Sequence, residues 1–275
     1  MKFLLLCLLS VGLNAEINEN RFFKDITDYA EGFGLHTDLG YSSYLIELHS
    51  SEMDSAIDYD VLEATLGFFY AYDKWLLGTY GKFVVDEVQS NMFVVTTQAS
   101  LNNQANIDKE EFGLYVDYTF FENDKESWGV NSIYRYASLD ASDAYDSFLT
   151  YVSYFKYQTD GLALSLAYQR KLFEKGVLVA HAGGLYSKAK VNMSESINGQ
   201  FQDSFVKDSV KALGLKVSLA YNYAYSNNLA LHLKTDAWRQ KFSSLKVHSH
   251  VGDTLPTASL KEASYTTYVG LAWRF

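Results

Sequence analysis

The chain closes on Tyr265-Thr-Thr-Tyr-Val-Gly-Leu-Ala-Trp-Arg-Phe275, and the reading of this stretch decides the fold. In an extended strand, successive side chains point to opposite faces. Tyr265, Thr267, Val269, Leu271, Trp273 and Phe275 therefore share one face, apolar and aromatic. Ser264, Thr266, Tyr268, Gly270, Ala272 and Arg274 share the other, small or polar. Such a strand needs an apolar cover on one side only, either a second sheet or lipid.

The same alternation recurs upstream. It is cleanest in Leu62/Ala64/Leu66/Phe68/Tyr70/Tyr72, in Phe112/Leu114/Val116/Tyr118/Phe120 and in Leu213/Leu215/Val217/Leu219/Tyr221/Tyr223. Ten extended segments can be laid out, at 33–48, 60–72, 75–85, 111–121, 128–138, 148–173, 176–190, 207–223, 229–240 and 263–275. Each supplies the roughly 9–11 tilted residues that cross a bilayer. Turns at 85–91 and 158–161 would give twelve. Ten is favoured because it makes one set of connections short and the other long, as in barrels that span an outer membrane. The expectation is an all-β, antiparallel up-and-down transmembrane barrel over 32–275.

Composition agrees. Aromatic residues are 16% of the chain, with 22 Tyr and 18 Phe against a single Pro. After residue 15 no window is apolar long enough to be a membrane helix, and a bilayer otherwise admits only closed barrels, since every backbone group must be paired. A soluble β-sandwich would alternate in the same way. The placement of the aromatics separates the two: Tyr70, Tyr72, Trp75, Tyr118, Trp128, Tyr221, Tyr223 and Trp273 gather near one end of the strands on the apolar face. Amphipathic rings favour the headgroup level, whereas a sandwich has no reason to collect them there.

At the amino terminus, Met1-Lys2, the apolar run 3–13 and Leu13-Asn14-Ala15 read as a cleaved secretory signal peptide, 1–15. Cys7 lies inside it, so the expected mature chain has no thiol chemistry. Without Lys2, 22 basic residues face 33 acidic ones, a net charge of −11 that argues against a nucleic-acid partner. Residues 16–31 form a periplasmic segment in which Phe22, Phe23, Ile26, Tyr29 and Ala30 follow helical spacing; a short helix, a plug and a frayed tail all remain open.

Alternation places Asp38, Glu63, Lys82, Asp117, Arg135, Lys216, Lys234, Asp236 and Arg274 on the inward face. Signs are nearly balanced. In a narrow lumen such charges pair or stay hydrated, because an unpaired buried charge is costly. A packed polar core carries more weight than a solute path, since a ten-strand barrel has little free width. Alternation also turns Trp238 inward, against the outward trend of the other aromatics.

In signal peptide, ten projecting strands and order of long and short connections, the chain resembles the omptin family of outer-membrane proteases, a likeness of layout over most of the mature chain. Phe275 is similarly placed to the terminal Phe read by barrel-insertion machinery. The resemblance implies an extracellular cleft with an acidic pair facing an Asp–His pair. Asp86-Glu87 stands where the acidic pair is expected, but Ser187-Lys-Ala-Lys-Val-Asn-Met-Ser-Glu-Ser196, the opposite wall, contains neither Asp nor His. No catalytic residue is expected.

His248-Ser249-His250, with Asp253 near, offers two metal ligands and a loose third, and reads as a solvated loop; His181 reads as a packed strand residue. No metal or cofactor is expected. The functions in view are a small-solute channel or binding barrel, a barrel acting on a cell-surface ligand through long outer loops at 191–206 and 241–262, and a surface protease, which is disfavoured. Outer-membrane lipid is the partner common to all three.

Overall fold

The computed structural model describes residues 32–50, 53–96, 100–103, 106–146, 150–201, 206–226, 228–248 and 254–275. The signal peptide, the 16–31 segment and Ser249-His250 lie outside them. Ten long strands run β1 (Gly32–His49), β2 (Met53–Tyr72), β3 (Trp75–Thr96), β4 (Asn106–Glu122), β5 (Glu126–Asp146), β6 (Thr150–Leu172), β7 (Gly176–Ile197), β8 (Val206–Ala224), β9 (Leu229–Phe242) and β10 (Thr254–Arg274). Each pairs antiparallel with its chain neighbours, and β10 returns to β1 in unbroken register from Gly34↔Arg274 to His49↔Ser259. The sheet is a closed ten-strand barrel. Three short strands, Ser100–Asn103, Gln200–Phe201 and Leu245–His248, extend its upper end.

At the end holding Arg274, here the lower one, the strands join through tight connections. Tyr72 pairs Trp75 across Asp73-Lys74, with Asp73 at φ 49. Asn198-Gly199, at the upper end, is another two-residue turn with both residues at positive φ, the conformation that matches strand twist.

The strands are longer than the sequence suggested. β3 passes without a turn through 85–91, and β6 through 158–161, so the twelve-strand alternative falls. Most of the stretches read as outer loops, including 139–146 and 191–197, are strand as well. The reason is a reversal of polarity. In the lower half the outward residues are apolar: Leu162, Leu164 and Leu166 of β6 are 50%, 58% and 48% exposed. Above them the outward residues of the same strand are Asp160, Gln158 and Lys156, while Tyr157 and Phe155 point inward and are buried. In β2, Leu62 and Leu66 face out below, and Asp60, Asp58 and Asp54 above, with Val61, Tyr59 and Ile57 inside.

All ten strands contribute to the core this creates, among them Ile46, Tyr59, Met92, Ile107, Leu139, Tyr157, Val191, Val210, Phe242 and Leu260. Tyr44 stacks on Tyr59 at 4.9 Å between ring centroids, and Tyr157 meets Phe242 edge-on at 6.1 Å. The barrel is an apolar belt over a polar interior in its lower half, and a polar coat over an apolar core in its upper half.

The aromatics predicted to cluster mark the lower edge of the belt. Trp75 lies against Tyr118 at 4.5 Å, Trp128 against Tyr168 at 4.7 Å, Phe33 against Tyr70 at 4.7 Å and Trp273 against Phe275 at 6.3 Å. Tyr72 is 53% and Tyr223 39% exposed. Tyr221 is half-buried. The Phe275 amide donates to the Phe33 carbonyl at 3.0 Å, fastening the closing seam. Deleting Phe275 removes that bond and the Trp273 contact, together worth about 2 kcal/mol, at the edge that must pair last. The expected result is a clear drop in heat-modifiable barrel on gels, with wild-type amounts refuting it.

Candidate functional site

The lower half encloses a cavity of about 400 Å³. Its walls carry Asp38, Lys82, Asp117, Arg135, Lys216, Lys234, Asp236 and Arg274, with His36, Tyr80, Tyr115, Asn131, His181, His232 and Tyr268 between them. Glu63 sits just above, almost fully buried. The nine charged residues singled out from alternation therefore face the interior together, although they come from eight strands.

The roof of the cavity is a continuous run of alternating charges. Lys109 donates to Glu63 at 2.7 Å; Lys82 lies 3.8 Å from both Glu63 and Glu111; Arg135 lies 3.6 Å from Glu111 and 3.7 Å from Glu262. Three cations and three carboxylates thus alternate across the lumen. Hydroxyl groups complete the carboxylates. Ser42 donates to Glu63 at 2.6 Å and Tyr44 at 3.0 Å, Tyr80 donates to Glu111 at 2.9 Å, and Tyr157 donates to Glu262 at 2.5 Å. Burial, and then the Glu262 carboxylate, push the Tyr157 hydroxyl well above the usual phenol range, so it remains a donor. Aromatic faces cover the cations: Lys109 sits 3.5 Å from the Tyr44 ring centroid and Arg135 4.3 Å from that of Trp238. This is why Trp238 points inward, because its ring is a lid for a guanidinium.

Lys109, Glu111 and Glu262 were missing from the sequence-derived set. The polarity around Lys109 and Glu262 suggests loops, and Glu111 stands at the end of its 111–121 segment. Their signal was parity: Lys109, Glu111, Tyr115 and Asp117 share one face, as do Glu262, Ser264, Thr266 and Tyr268.

Below the roof, Asp38 bonds His232 and lies 3.6 Å from His36. Gly270 makes room for this group, since a side chain there would fill the space of Asp38 and His232. His36 Nε2 is buried without a hydrogen-bond partner. Lys234 donates to Asp236 at 2.9 Å, and Asn131 donates to Asp117 at 2.6 Å. His181 lines the cavity as well. Among the described residues, no three His, Cys, Asp or Glu side chains converge as metal ligands would.

The acidic pair implied by the omptin likeness is split. Asp86 faces outward and is exposed, while Glu87 faces inward and accepts the Ile107 amide at 3.1 Å. The wall opposite, at Ala189, Val191 and Met193, is part of the buried apolar core. The chain here packs an interior where a proteolytic cleft would need open space.

Comparison of the structure with solved proteins gives the outer membrane protease OmpT from Escherichia coli, at TM-score 0.62 and 11% identity, covering 96% of this chain and 99% of that one. The fold is that of an outer-membrane β-barrel. Its ten-strand layout is similar to that of OmpT, and at this identity the likeness concerns the fold alone. The translocator domain of autotransporter NalP from Neisseria meningitidis (TM-score 0.49, 11% identity, 93% and 94% of the two chains) and the outer membrane protein OprG from Pseudomonas aeruginosa (TM-score 0.42, 9% identity, 90% and 96%) are also similar barrels. No family model and no curated protein matches the sequence.

Proposed function

We propose that this chain sits in the outer membrane and holds a small polar solute in a lumen that opens to the periplasm and is sealed from the outside. One observation carries this reading: the upper half is filled by a core to which every strand contributes, while the lower half keeps a cavity of about 400 Å³ lined by charges. A cavity of that size suits a small molecule. The packed upper half favours binding over conduction. Ala220 lines the cavity. A cysteine placed there by Ala220→Cys is expected to escape a membrane-impermeant maleimide on intact cells and to react fully once the periplasm is opened. Labelling on intact cells overturns the proposal.

A second reading, a barrel acting through its projecting surface, is favoured by the charge division of the upper half. Its outward face carries Asp54, Asp58, Asp60 and Asp140 on β2 and β5, and Lys188, Lys190, Lys211 and Lys241 on β7 to β9. Lys188 and Lys211 are direct cross-strand partners. Charge reversal at both is expected to abolish adhesion to cells or ligands with the barrel intact; unchanged adhesion rejects this reading.

A further inference from the structure

We infer that the lumen is a binding site for a small zwitterion, with the ligand's anionic group on Lys216 and its cationic group on Asp117. The inference rests on the lumen reading above and names its ligand class.

Among the described residues, Lys216 and Asp117 of the lower lumen have no ion-pair partner. On one wall, β8 and β9 present Lys216, Lys234 and Asp236. Asp236 is engaged by Lys234 at 2.9 Å, so the second ammonium, Lys216, has no carboxylate of its own; it makes no hydrogen bond or ion pair among the described residues, and Asp236 attracts it while Lys234 repels it. On the facing wall, Asp117 of β4 takes one hydrogen bond, from the neutral Asn131. The cations that act on it are Lys234 and Lys216, across the lumen. β4 and β9 are diametrically opposed in the ring of ten strands, with β8 next to β9. The six roof charges neutralise one another and supply neither group with a partner. An enclosed charge without a partner is retained at a cost, and two of opposite sign facing one cavity are complementary to a dipolar guest.

Distance restricts the guest further. Opposite strands of such a barrel stand roughly 18 Å apart. Once an aspartate and a lysine reach inward, a gap on the order of 9 Å remains between their charged ends. Two charge-assisted hydrogen bonds of about 2.8 Å each leave about 3–4 Å for the ligand's own charge separation. That is the span of an α- or β-amino acid.

The test is equilibrium dialysis of the full barrel in neutral detergent with β-alanine, propionate and propylamine as probes. β-Alanine is expected to be retained at least tenfold more strongly than either singly charged analogue, and Lys216→Met or Asp117→Asn to abolish that preference. Equal retention of propionate, indifference to both substitutions, or no retention of any probe overturns the inference. A stability measurement guards against a folding artefact. Lys216→Met removes an unpaired cation and is expected to resist urea as well as or better than the native chain, whereas Lys234→Met breaks a pair and is expected to resist it less. A Lys216→Met barrel that loses stability as Lys234→Met does would make Lys216 structural and reject its role. If the Ala220→Cys barrel labels from the periplasm and yet no probe binds, the zwitterion fails while the lumen reading stands.

Discussion

Replacing Glu63 by Ala is expected to destabilise the barrel by about 3–5 kcal/mol, the cost of breaking a buried ion pair from one side. Glu63 is 1% exposed and accepts bonds from Lys109, Ser42 and Tyr44. Its removal strands Lys109, which is 5% exposed and has no other carboxylate within ion-pair distance among the described residues. Lys82 keeps Glu111 and the Tyr268 hydroxyl, so the damage falls on one link of the run. Unfolding in urea, followed by tryptophan fluorescence in lipid vesicles, measures the loss. Glu63→Ala combined with Lys109→Met is expected to recover most of it, since deleting both partners removes the stranded charge. A single-variant loss below about 1 kcal/mol would show that the run is solvated and contributes little.

The second large effect concerns residues that a soluble protein would not miss. Leu164 and Val217 are 58% and 53% exposed. On a water-facing surface, substitution at such positions changes stability by within about 0.5 kcal/mol. Here Leu164 lies midway along its strand between Tyr168, at the lower aromatic edge, and Asp160, where the polar coat begins. Leu164→Arg or Val217→Arg is expected to cost about 2–4 kcal/mol if lipid covers the belt. Gln158→Arg, on the same outward face of the same strand, is expected to cost almost nothing. A spin label at 217 should be relaxed by dissolved oxygen and shielded from an aqueous paramagnet. Equal small losses at 158 and 164, or a label open to the aqueous agent, would mean that the belt faces water.

The sequence revealed strand alternation because the period of a strand is local: Leu213 to Tyr223 shows it in eleven residues. It hid the upper half because the sign of the alternation depends on what lies on each side, which is decided by nine other strands. Asp54 and Asp58 look like a loop until Ile57 and Tyr59 beside them are seen to share a core with Tyr157 and Val191. The roof was half legible for the same reason. Glu63, Lys82 and Arg135 stood within recognised strands, but Lys109 and Glu262 belonged to stretches whose polarity suggested turns. Asp86 and Glu87 part because neighbours in a strand alternate, but the bulges in β3 opposite Asp60–Glu63 decide which of the two turns inward, and no local period in the sequence announces them.

The reversal of polarity along each strand also bears on the fidelity of assembly. A register slip of one residue turns every side chain to the opposite face. In an ordinary soluble sheet a slip incurs one kind of penalty. In β2 it would press Glu63 towards lipid and expose Tyr59 and Ile57 to water at once. Mispaired hairpins are therefore rejected by two solvents together, so this chain carries its own proofreading against the error to which repetitive, alternating strands are most prone.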